Sequence, residues 1–211
     1  LIASAEFTRH WADLLDAILM GRRGPSAIDQ RRDNGWREYL ESSLASNRPW
    51  NQMARDMVLA RATAETDVRG GWYLYERKNK HQEIAEAVAP NFFGIRIECA
   101  QCHDHPLAYE IEQRHYWGLV AFFNRGKNER TKLGPRVAES AVGGYGKFTD
   151  LAGASEDALL TFYDARTVSE DQPEGDEEQK DSDENYVAGW VVDEQVANEP
   201  RVPKFSRREK F

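Results

Sequence analysis

Phe7, Trp11, Leu14, Leu15, Ile18 and Leu19 recur at the three- and four-residue intervals of one helical stripe. Gly21 is placed to end this helix, and Gly24-Pro25 to turn the chain after it. Trp36, Leu40 and Leu44 predict a second helix. A third starts at Pro49, whose missing N–H costs nothing in a first turn, and runs through Trp50, Met53 and Met57. After the Gly70-Gly71 break, Trp72 to Tyr75 reads as a short extended piece. Ile84, Val88 and Phe92 mark a fourth helix, interrupted or kinked at Pro90, and Tyr116, Leu119, Val120 and Phe123 mark a fifth. The expected fold is mainly α, with residues 1–125 forming a helical domain.

Beyond Asn124 the pattern changes. Glycines gather at 143, 144 and 146, and Ala158–Thr167 and Tyr186–Asp193 read as strands, giving a smaller β-containing part over residues 126–211. Between those strands, residues 170–184 hold nine acidic residues and one lysine, which accounts for the whole net charge of −8. Such a block repels itself and is expected to be a solvated, dispensable loop. Calcium binding is the alternative, but Asp171, Glu174 and Asp176 lack the alternating oxygen ligands of an EF-hand loop. The rest of the chain balances at 27 acids and 27 bases, so no basic surface for nucleic acid is expected. No stretch approaches the roughly 20 apolar residues of a membrane span. Leu1 to Phe7 run straight into the helical pattern without an initiator Met, as expected of an internal piece of a longer protein.

Both cysteines of the chain lie in one stretch, Cys99-Ala100-Gln101-Cys102-His103-Asp104-His105-Pro106. Cys-x-x-Cys-His is the attachment signature of c-type haem. Two thiols one turn apart reach the two vinyl groups along one side of a porphyrin. The next residue then comes under the ring, where its imidazole binds iron. Three other readings compete. A thioredoxin-like pair needs a βαβ setting, which the helices on both sides do not provide. A zinc site from Cys99, Cys102 and either His103 or His105 needs a fourth ligand from elsewhere. A plain disulfide leaves the adjacent histidine without a role.

The run from Phe92 through Glu98 into Cys99-Ala100-Gln101-Cys102-His103-Asp104-His105-Pro106, followed by Tyr116-Trp117-Gly118-Leu119-Val120-Ala121-Phe122-Phe123, resembles the planctomycete cytochrome-c-like domain. That family of formerly unknown function occurs in large secreted proteins. Phe7 to Asp16 is similar to its opening helix, so the resemblance covers most of residues 1–125. Arg207-Arg208-Glu209-Lys210-Phe211 resembles the entrance to a further domain. The resemblance implies a covalent haem c and a periplasmic or extracellular setting, because haem is attached after export.

The sites expected are therefore Cys99, Cys102 and His103 for haem, with His103 on the iron. His105 is too near His103 to reach the other haem face and is expected, with Asp104, to orient the motif. The sixth ligand is His10, Met53, Met57, His81, His115 or none, with His10 the leading histidine. The function expected is a c-type cytochrome module for electron transfer, working with a redox partner and with other domains of a longer chain. The alternative is a non-redox scaffold domain in which haem or metal is structural, and a haem enzyme is a third reading.

Overall fold

In the computed structural model, which describes residues 4–61, 66–171, 180–187 and 200–211, the first stripe becomes α1 (Ala5–Met20). The Ser4 hydroxyl accepts the Phe7 N–H at its start, and Gly21 ends it at a φ of 68°, a left-handed angle that favours glycine. There follow α2 (Pro25–Asp33), α3 (Trp36–Ala45), α4 (Trp50–Leu59), the single turn α5 (Trp72–Tyr75), α6 (His81–Val88), α7 (Gln113–Phe123) and the short α8 (Arg207–Lys210). Six strands make three two-stranded sheets among the described residues. They are β1 (Gly126–Thr131) with β2 (Gly134–Glu139), β3 (Lys147–Thr149) with β4 (Ser155–Asp157), and β5 (Leu160–Thr161) with β6 (Thr167–Val168). The fold is mainly α with a smaller β portion, as expected.

Two local expectations are corrected, and one helix is added. Trp72–Tyr75 is helical, not extended, and the Gly24-Pro25 turn leads into α2, a helix the apolar spacing had not marked. Ala158–Thr167 is not one strand. The chain reverses at residues 162–166, where Ala165 takes a φ of 62° and the Asp164 carboxylate accepts the Arg166 N–H, so β5 pairs back on β6 with Leu160 opposite Val168. Of the second predicted strand, residues 188–193 lie outside the described residues, and Tyr186 forms an isolated bridge to Pro203.

By contact the chain groups into two compact units, a different partition from 1–125 and 126–211. The first holds residues 1–79, 128–137 and 191–200, and the second holds 80–127, 138–190 and 201–211.

In the first unit α1 packs on α3, and Ala12, Leu19, Trp36, Tyr39, Leu40, Met57 and Leu74 are buried. The α1 stripe is only partly covered: Trp11 and Leu14 stay exposed and Ile18 is 63% exposed. Arg31 is the polar centre. Its guanidinium grips Glu76 with two bonds of 2.7 Å, Asp16 at 2.9 Å, and the Met20 and Gly21 carbonyls. Asp16 also accepts the Trp36 indole N–H at 2.8 Å, so one network ties α1, α2, α3 and the end of α5. A side chain on Gly70 would place Cβ 2.8 Å from the Asp56 Cβ, which explains the glycine pair better than a chain break does.

In the second unit α7 packs on α6 and β5 around Ile84, Val88, Leu119, Phe122, Phe123 and Leu160. Pro90 sits in a π-helical turn, Ala89–Phe93, that continues α6, in line with the expected interruption. Phe211 meets Phe93, Phe122, Phe123 and Phe162 with ring centroids 5.4–6.0 Å apart. The acidic run is not wholly a solvated loop. The Glu170 side chain is only 8% exposed and accepts from Arg125 at 2.7 Å and Arg207 at 2.7 Å, while Asp181 accepts the Tyr186 hydroxyl at 2.8 Å. Residues 172–179 of that run lie outside the described residues, as do two of the three acids considered for calcium, Glu174 and Asp176.

Candidate functional site

Ile97 and Ala100 are fully buried and anchor a 3-10 turn, Glu98–Gln101, in the second unit. With those two positions inside, Cys99 and Cys102 are turned outward, both exposed as free thiols. The Cys102 and His103 amides each donate to the Cys99 carbonyl at 3.4 Å, so the two thiols stand one turn apart on one short helical segment.

The turn is held by α7. The Gln101 carbonyl accepts the Trp117 indole N–H at 3.2 Å and the Gln113 side-chain amide at 3.4 Å. The Gln113 backbone N–H donates to the Asp104 carboxylate at 3.2 Å. From β3, Thr149 offers its carbonyl to Gln113 at 3.4 Å, and Phe148 stacks on Trp117 with 6.3 Å between centroids. Gln113, Trp117, Phe148 and Thr149 were not foreseen. The four-residue spacing of Gln113 and Trp117, which puts them on one face of α7, was the readable signal. The β3 contribution had none, because it arrives from distant sequence.

The hydrogen bonds assign the histidine tautomers, since a backbone carbonyl only accepts and a backbone N–H only donates. His103 Nδ1 lies 2.7 Å from the Asp104 carbonyl, so Nδ1 carries the proton and the Nε2 lone pair is left for a metal. His105 is the reverse. Its Nδ1 accepts the Leu107 and Ala108 amides at 3.2 and 2.9 Å, which places the proton on Nε2. Both His105 and Asp104 therefore shape the motif, in the supporting parts expected of them. His115 also accepts through Nδ1, from the Glu112 N–H at 2.9 Å, in a reciprocal cap at the start of α7. It is 1% exposed, its Nε2 is buried without a partner, and burial together with the Arg114 charge lowers its basicity. His81 donates from Nε2 to the Gly126 carbonyl at 2.9 Å.

The remaining candidates for the sixth ligand belong to the first unit. His10 is exposed on α1, and Met53 and Met57 are buried on α4. Among the described residues no three or more His, Cys, Asp and Glu side chains converge to hold a metal ion, as a closed zinc site would need. Tyr116 is buried on α7 and donates to Glu86 at 2.8 Å; burial and that carboxylate both push its phenol pKa upward. Shortly after the motif in sequence, Leu107 is 85% and Tyr109 81% exposed. Among the described residues no helix is long and apolar enough to cross a membrane.

Neither the curated proteins nor the solved structures contain a match. Among family descriptions, residues 1–128 match PSCyt2, described as a protein of unknown function (DUF1549), and this stretch includes the whole Cys99–His103 turn and all of α7. The chain belongs to the PSCyt2 (DUF1549) family.

Proposed function

We propose that Cys99, Cys102 and His103 hold a covalent c-type haem and that the second unit is an electron-transfer module. The observation that carries this reading is the opposite protonation of two neighbouring imidazoles. His103 keeps a bare Nε2 because its proton sits on Nδ1, which donates to the Asp104 carbonyl, whereas His105, two residues on, has its Nε2 protonated. Cys-x-x-Cys-His haem attachment needs just that donor next to two reachable thiols, and both thiols are exposed.

Cys99 and Cys102 would hold the porphyrin as two thioethers, each S–H adding across a vinyl double bond with no other reactant consumed. The residues present fit that group. Gln113 and Trp117 fix the turn through Gln101, and Asp104 orients His103. Haem supplies a one-electron couple when bound. Because attachment follows export, a periplasmic or extracellular location accompanies the reading. Its partner is a redox protein or another domain of a larger secreted chain, where it supports an oxidative step.

Spectroelectrochemistry of protein made in a host with haem-attachment machinery tests this. A reversible one-electron couple is expected, and His103→Ala should change the visible spectrum while leaving the thioethers intact. A haem that never cycles would favour a structural scaffold instead.

A further inference from the structure

We infer that His115 is a pH-sensitive positioning residue: on gaining a proton at Nδ1 it opens the cap of α7 and releases the Cys99–His103 turn that α7 holds. The release belongs to the chain itself, and its effect on iron rests on the haem reading above.

Every link lies between Gln101 and His115, inside the second unit. His115 accepts the Glu112 N–H through Nδ1 at 2.9 Å, and the Glu112 carboxylate accepts the His115 N–H in return. The residue between them, Gln113, gives its backbone N–H to the Asp104 carboxylate and its side-chain amide to the Gln101 carbonyl. The Asp104 carbonyl accepts from His103 Nδ1. One imidazole lone pair therefore sets the first turn of α7 and, through Gln113 and Asp104, the orientation of His103. An imidazolium has no lone pair to offer, because both of its nitrogens carry hydrogen and only donate. Its Nδ1–H would face the Glu112 N–H, donor against donor, so the cap does not survive protonation.

The surroundings hold the ring neutral. Burial and the Arg114 charge lower its pKa below the ordinary 6.5, against the opposing pull of Glu112 and Asp104. Charges on the elements packed against α7 are mostly engaged elsewhere. On α6, His81 bonds the Gly126 carbonyl, Glu83 pairs with Lys80, and Glu86 takes the Tyr116 hydroxyl. On α8, Arg207 pairs with Glu170 and Arg208 with Glu139, while Glu209 and Lys210 are exposed. Lys147 of β3 pairs with Asp157, β5 carries no charge, and Glu98 of the motif turn is exposed. A histidine lowered in the folded state contributes fully above pH 6.5, and that contribution is lost as pH falls through the folded value. The start of α7 is thus seated at neutral pH and freed in acid.

The test is an NMR titration of the full chain without haem, from neutral pH into acid. Imidazole nitrogen shifts should show His115 protonated on Nε2, with a midpoint below 6.5, and the Gln113 and Asp104 amides should move at that same midpoint. His115→Gln keeps an acceptor for the Glu112 N–H but does not titrate, so the step should vanish and the amides stay at their neutral-pH positions. Glu112→Gln removes the other titrating group of the cap, and the step should persist at a lower pH. A midpoint at or above 6.5, amides indifferent to the His115 titration, or a step that survives in His115→Gln would each overturn the inference. In the chain carrying haem, the visible spectrum should change at the same midpoint, and a spectrum that ignores it would break the link to iron. Absence of haem mass would sink the haem reading alone, because the amide titration is read without haem.

Discussion

Arg125 and Arg207 each have side chains 2% exposed, and the carboxylate between them is Glu170. Burial and the neighbouring Arg207 charge lower the pKa of Arg125, so the pair depends on the counter-charge. Glu170→Gln should cost about 3 kcal/mol of stability, read as a lower urea midpoint, because it strands two buried guanidiniums. Composition alone put Glu170 in a solvated run, since nothing in the sequence tells an anchored glutamate from its neighbours. Glu76 gives a pH test. Burial opposes its charge, but the hydrogen bonds and charge of Arg31, with the Trp72 indole, bring its carboxyl below the ordinary value of 4.5. The folded value lies below the unfolded one, so its stabilisation is complete above pH 4.5 and is lost as pH falls through the folded value. Glu76→Gln should therefore be less stable at pH 7 and lose less on acidification than the parent, as judged by urea midpoints at pH 7 and 3.5.

At the scale of elements, apolar spacing was a good guide wherever a helix buries a stripe, and α1, α3, α4, α6 and α7 were all legible. It failed at α2, whose sequence Pro-Ser-Ala-Ile-Asp-Gln-Arg-Arg-Asp is held by the buried ion pairs of Arg31 and not by an apolar face. It failed again at Trp72–Tyr75. There aromatic residues favour strands, but the turn closes helically after Gly70 and Gly71, whose bare backbone fits against Asp56 and Ala60. Gly118 makes the same kind of close approach inside α7. A Cβ there would fall 2.6 Å from the Thr161 Cβ and 2.8 Å from the Leu159 carbonyl. Gly118→Ala should push α7 away from β5 and cost about 1–3 kcal/mol, measurable as a fall in melting temperature. Unchanged melting would show that α7 and β5 are not in such close contact.

Across the whole chain, the family match ends at residue 128, yet the second unit draws on residues well beyond it. Phe211 sits among Phe93, Phe122, Phe123 and Phe162, Arg207 bonds the Ala121 carbonyl at 3.0 Å, and Thr149 reaches Gln113 beside the motif. The Cys99–His103 motif was legible from five residues, because its chemistry is local. Its supports on α7 and β3 were not, because they join only when the chain folds. The central claim concerns those five residues, and intact mass under denaturing conditions tests it most directly. Protein from a haem-attaching host should carry the added mass of one haem and no alkylatable thiol, and Cys99→Ser/Cys102→Ser should carry none. An unmodified parent mass, with Cys99 and Cys102 free or joined in a disulfide, would contradict the account.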